Sequence, residues 1–121
     1  MKALLHLRKA FGFSLQGLRD TMHHEMAFRI ELTVAAILIP TALILPVSLI
    51  LRILLISSVF LVLIVELLNT GIEAVANRIS TEQHPLSGRA KDAGSAAVFL
   101  SAVNMGIVWG IILFDLIFNY S

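Results

Sequence analysis

Glu66, Asn69, Thr70, Glu73 and Asn77 recur at i, i+3, i+4, i+7 and i+11, a spacing that lines all five along one face of a single helix. Glu66 directly follows the apolar run Val59-Phe60-Leu61-Val62-Leu63-Ile64-Val65. A charged side chain at the centre of a membrane span costs roughly 2.5–3.5 kcal/mol on insertion scales, so intramembrane carboxylates mark function. Glu66 and Glu73 stand two turns apart, about 10 Å at the standard helical rise. At that separation they are able to do two jobs, one holding a cation and the other taking a proton. A lone membrane Asn or Thr more often ties helices together by hydrogen bonding, but two glutamates and Asn69 on one stripe point to chemistry.

Weaker signals surround this stripe. Glu25 and Glu31 fall at the start of an apolar segment, where the helix dipole favours a carboxylate whatever its function. Lys91 and Asp92 precede another, where a lysine and free backbone N–H groups suit a phosphate. His23-His24 and His84 match no zinc spacing, and His24-Glu25 lacks the second histidine of a zincin motif. The chain has neither a Gly-rich P-loop nor a Rossmann glycine fingerprint, so a nucleotide site here is of another kind.

The elements that must carry these residues follow from composition. The 121 residues are 58% hydrophobic and only 14% charged, with net charge +1 and no cysteine. Soluble domains average about 45–50% apolar and about 25% charged residues, and a soluble core of this size hides too little surface for this chain. Disorder is excluded by the same apolar content. The absent cysteines remove disulfides, thiol catalysis and thiolate metal sites. The near-neutral charge leaves no footprint for nucleic acid.

These features predict an all-α membrane protein in a single domain. Residues 30–65 are too long an apolar stretch for one span of roughly 20 residues and about right for two. Pro46-Val47-Ser48 forms the turn, and Pro40 is tolerated inside the first span. The expected layout is a surface helix over 1–27, spans over 28–46, 48–79 and 93–118, and a polar loop over 80–92. No small-residue cleavage pattern closes the first apolar run, which argues against a signal peptide. Lys2, Arg8, Lys9, Arg19 and Arg29, with Arg78, Arg89 and Lys91, place the N-terminus and the 80–92 loop in the cytoplasm and the C-terminus outside. Leu4, Leu7, Phe11, Leu15, Leu18 and Met22, spaced 3, 4, 4, 3 and 4 apart, give the first helix an apolar stripe for the membrane surface or for packing on the bundle. Ala102, Gly106 and Gly110 repeat at i, i+4 and i+8, which suits close helix contacts within the chain or between copies.

Several runs also carry a resemblance. Val65-Glu66-Leu67-Leu68-Asn69-Thr70-Gly71-Ile72-Glu73-Ala74-Val75 resembles the signature of the prokaryotic diacylglycerol kinase family. So does His84-Pro85-Leu86-Ser87-Gly88-Arg89-Ala90-Lys91-Asp92-Ala93-Gly94-Ser95-Ala96-Ala97-Val98, and His24-Glu25-Met26-Ala27-Phe28-Arg29-Ile30-Glu31 looks like the family's N-terminal motif. The resemblance extends over nearly the whole chain.

It implies a homotrimeric bacterial inner-membrane lipid kinase, with composite active sites between neighbouring chains at the cytoplasmic face. The implied reaction moves the γ-phosphoryl of Mg-ATP to the primary hydroxyl of 1,2-diacylglycerol. By similarity Glu66 is the general base, Glu25 and Glu73 hold Mg2+ on the ATP phosphates, and Asn69 supports them. Phe13, Glu25, Glu73, Glu82, His84, Lys91 and Asp92 are implied at the nucleotide. Ala10, Ser14, Leu15, Arg19, Ala27, Glu31, Ser95 and Trp109 are implied along the lipid path. The chain departs from the family's usual residues at Asn77 (commonly Asp), Ile30 (commonly Gln), and His6 and Leu15 (commonly Arg and Trp). These departures keep undecaprenol kinase, which shares Glu66, Asn69 and Glu73, as the nearest alternative, although the Ser-Gly-Arg run favours diacylglycerol. A small transporter or channel subunit passing protons or cations along the two glutamates is the alternative from another class.

Overall fold

The computed structural model describes residues 1–79 and 85–119, and every element among them is helical: α1 (Lys2–His24), α2 (Met26–Ile44), α3 (Leu49–Ile79) and α4 (Pro85–Asn119). The last three are each long and apolar enough to cross a membrane. The elements are those expected, with shifted bounds. The first break falls at Glu25 rather than after residue 27, and residues 85–92, expected in a polar loop, form the first turns of α4. The reason is that Arg89, Lys91 and Asp92 are polar without being helix breakers, while proline is at home in a helix's first turn.

α3 is the central element, packing most extensively on α4 and next on α2, while α1 touches only the edges of α2 and α3. The core is a narrow seam of Ala35, Ala42, Leu55, Val59, Trp109 and Ile112. Leu49, Ile50, Phe60, Ile64, Ile107, Ile111 and Phe114 face outward. Hydrocarbon chains are as apolar as these side chains, so lipid takes the place of a thicker protein core.

Polar groups close the α2–α3 turn. Ser48 caps α3, its hydroxyl accepting from Leu51 N–H at 3.3 Å. Arg52 donates through Nη1 to the carbonyls of Ala42 and Leu43, both at 2.7 Å, and through Nη2 to that of Val47 at 3.1 Å. These carbonyls are the ones a helix end and its turn leave unpaired. α2 runs through Pro40 without interruption.

Trp109 and the glycines of α4 take definite places within the chain. Trp109, implied along the lipid path, is buried in the core seam and donates its indole N–H to the Leu55 carbonyl at 3.2 Å. Leu55 lies eleven residues before Glu66, about 16 Å along the helix axis, so within this chain Trp109 is remote from the carboxylate stripe. Gly106 and Gly110 have open space where a Cβ would stand, so they do not serve close contact within the chain. The glycine whose Cβ space a neighbouring helix does fill is Gly94, where side chains of α3 enter.

Candidate active site

The stripe on α3 is real and graded in depth. Glu66 is 5% exposed and Asn69 8%, Glu73 is half-buried, and Asn77 is exposed. Thr70 does not face a ligand with its proton, because its hydroxyl donates to the Glu66 carbonyl at 3.0 Å. Asn69 Nδ2 donates to Glu73 Oε1 at 3.4 Å, linking the second and fourth members of the stripe.

α2 adds a carboxyl that the one-helix pattern did not reveal. Glu31 lies against Glu66 across the α2–α3 contact. Glu31 Oε2 and Asn69 Oδ1 are buried without a hydrogen-bond partner among the described residues. Most buried polar atoms are paired, and exceptions concentrate where a function uses them.

The elbow between α1 and α2 brings Glu25 to the same end of α3. Glu25 is the extended residue between the helices, with φ −115° and ψ 110°. Arg29 pins the elbow, its Nη1 donating to the carbonyls of Met22 at 2.9 Å and His23 at 3.0 Å. Phe28, 1% exposed, anchors the first turn of α2. As a result Glu25 and Glu73 line one cleft of about 280 Å³, together with Asp20, Thr21, His24, Thr70, Ala74 and Asn77. Asp20 and His24 reach this cleft from the C-terminal end of α1. His24 Nδ1 bonds the Asp20 carbonyl at 2.8 Å, which makes Nδ1 the protonated nitrogen of the ring when it is neutral.

The other expected site residues are distributed more widely. Lys91, Asp92 and Ser95 lie on the second and third turns of α4 and do not line this cleft. Phe13, Ala10, Ser14, Leu15 and Arg19 are exposed along α1, and Ala27 is exposed on the first turn of α2. Glu82 and His84 lie outside the described residues.

The donor set suits a hard cation. Mg2+ in phosphoryl-transfer sites keeps several waters and is held by one or two carboxylates plus substrate phosphates. Glu25 and Glu73 on one cleft, with Asn69 steadying a Glu73 oxygen, fit that description. Among the described residues no three His, Asp or Glu side chains converge into an all-protein cage.

Fold and site together define a three-span α-helical membrane protein whose buried carboxylate stripe opens on a polar, acidic cleft. The chain belongs to the prokaryotic diacylglycerol kinase family, whose model matches residues 12–113. It is 53% identical over 111 residues to the diacylglycerol kinase of Haemophilus influenzae, covering 92% of this chain and 94% of that one. Against the diacylglycerol kinase of Escherichia coli K12 the identity is 51% over 107 residues, 88% of each chain. With that of Helicobacter pylori J99 it is 35% over 118 residues, 98% of this chain and 92% of the relative.

Proposed function

We propose that this chain is an ATP-dependent diacylglycerol kinase. The observation that carries the proposal is the buried Glu66, one turn from an Asn69–Glu73 pair that opens on the cleft shared with Glu25. The names of its relatives supply the lipid. Glu66 takes the proton of the primary hydroxyl; the freed oxygen attacks the γ-phosphorus of ATP; the bond from that phosphorus to the β–γ bridging oxygen breaks. Phosphatidic acid and ADP are the products. Glu25 and Glu73 would hold a Mg2+ ion, which when bound would neutralise charge on the phosphates. Asn69 orients Glu73, and Glu31 shares the lipid end of the stripe with Glu66. Lys91 and Asp92, with Glu82, His84 and Phe13, complete the nucleotide site, and Ala10, Ser14, Leu15, Arg19, Ala27 and Ser95 border the lipid path.

Phosphoryl transfer asks for positioning and electrostatics more than covalent help, which accords with a site made of carboxylates and amides. Because Lys91, Asp92 and the α1 residues from Ala10 to Arg19 do not line the cleft within one chain, the complete site is assembled between copies in a homotrimer. The basic residues of α1 set the N-terminus and the site on the cytoplasmic side of a bacterial inner membrane.

The test is transfer from ATP in mixed micelles, offering diacylglycerol and undecaprenol separately, with Glu66→Gln as control. Transfer to diacylglycerol that vanishes in the variant is expected. Transfer to undecaprenol alone would move the substrate, and carboxylate-dependent ion flux without ATP turnover would replace the kinase with a transporter.

A further inference from the structure

Gly94 stands on α4 opposite Asn69, and it alone of the seven glycines has anything within 4 Å of where a Cβ would stand. Asn69 Oδ1 fills that space, with Asn69 Cγ 3.3 Å and Ile72 Cδ1 3.7 Å from the Cβ position. Backbone freedom does not account for the glycine, since no residue among those described has a positive φ. Helix propensity argues against it, because alanine is the better helix former. What remains is room.

That room decides how the amide is oriented. Asn69 is buried, its Oδ1 lacks a hydrogen-bond partner among the described residues, and its Nδ2 donates to Glu73 Oε1 at 3.4 Å. Seating the oxygen against the bare Cα of Gly94 turns Nδ2 toward the carboxylate. Reversing the amide would set its oxygen against a carboxylate oxygen, two acceptors without a proton between them. A methyl group at 94 would expel the side chain from its seat and break the link to Glu73.

We propose that Gly94 is a positioning residue for the cation site: by leaving its Cβ space to Asn69 it aims the amide at Glu73, and so sets the affinity for the divalent cation. This rests on the cation reading of the Glu25–Glu73 cleft given above. Gly94 touches neither cation nor substrate and acts only through Asn69.

The test is Mn2+ titration of the full chain in detergent, followed by electron paramagnetic resonance, for the unmodified protein, Gly94→Ala, Asn69→Ala, the double variant and Glu73→Gln. Gly94→Ala is expected to weaken Mn2+ binding about tenfold, the scale at which groups that orient a ligand act. The double variant is expected to bind as Asn69→Ala does, because residues acting through one another are non-additive. Gly94→Ala binding like the unmodified protein, or a double variant losing the product of both single effects, would overturn the proposal. Should Gly94→Ala fail to fold, the comparison of Asn69→Ala with the double variant decides by the same criterion. If Glu73→Gln binds Mn2+ undiminished, the cation reading itself fails; Glu73→Gln impaired beside an unaffected Gly94→Ala removes the Gly94 seat alone.

Discussion

The two ends of the helix bundle are built on opposite principles. At the end holding the α2–α3 turn, polar groups are spent on structure. Arg52 takes three carbonyls, Ser48 caps α3, and Trp109 gives its N–H to Leu55 in a seam of fully buried side chains. At the other end the packing loosens. An apolar groove of about 950 Å³ opens between α3 and α4, lined by residues that include Leu68, Ile72, Val75 and Leu86. Beside it the Glu25–Glu73 cleft stays open, and Glu31 and Asn69 keep buried oxygens without partners. In a membrane, where no solvent repairs an unmet polar atom, stability alone would have selected the first arrangement throughout. The contrast separates an end whose polar groups are paired from one where buried oxygens are left without partners.

Substitutions at the two ends separate chemistry from stability. The largest effect is expected from Glu66→Gln, which keeps the shape and removes the proton acceptor: transfer in mixed micelles falls by about 100- to 10,000-fold, with the helical circular dichroism unchanged. Near-normal turnover would take Glu66 out of the base role. Glu73→Gln is expected to raise the Mg2+ concentration for half-maximal rate about tenfold or more; an unchanged Mg2+ dependence would remove it from the cation. At the closed end, Leu55→Ala empties a fully buried position and is expected to cost about 2–5 kcal/mol of stability. Its loss shows in the thermal midpoint in detergent, while the KM for ATP of the folded fraction holds. A KM shift as large as that of a cleft variant would erase the division between the ends. The smallest effect belongs to Asn77→Asp on the exposed lip of the cleft, with less than about a fivefold change in rate, the scale of an exposed charge interaction.

Much of this molecule was legible from residue order. The apolar runs and the turn at Pro46 located α2 and α3 to within about two residues at each end, and the end of α4 as closely, because lipid rewards every apolar side chain on a helix whatever its neighbour. The bound that moved most was the start of α4, where charge was read as loop although nothing in residues 85–92 stops a helix after its opening proline. The stripe from Glu66 to Asn77 was legible for a related reason: residues on one helix face are fixed relative to each other by the helical repeat alone.

What lay between helices was not legible. Arg29 read as a charge for the positive-inside count, and the structure engages it and Arg52 as caps on the ends of α1 and α2. Asp20 and His24 join the cleft with Glu73 only because the Glu25 elbow folds α1 against α3. Gly106 and Gly110 carried the familiar small-residue spacing, yet within the chain the glycine whose Cβ space another helix's side chain fills is Gly94. The sequence by itself determined which segments are helices, which of them suit the bilayer, and which carboxylates share a face, since these depend on short-range periodicity and transfer energy. Only the tertiary structure decided that Glu31 meets Glu66, that Glu25 shares a cleft with Glu73, and that Asn69 is seated on Gly94, because each of those placements depends on how far one helix is rotated and shifted against the next.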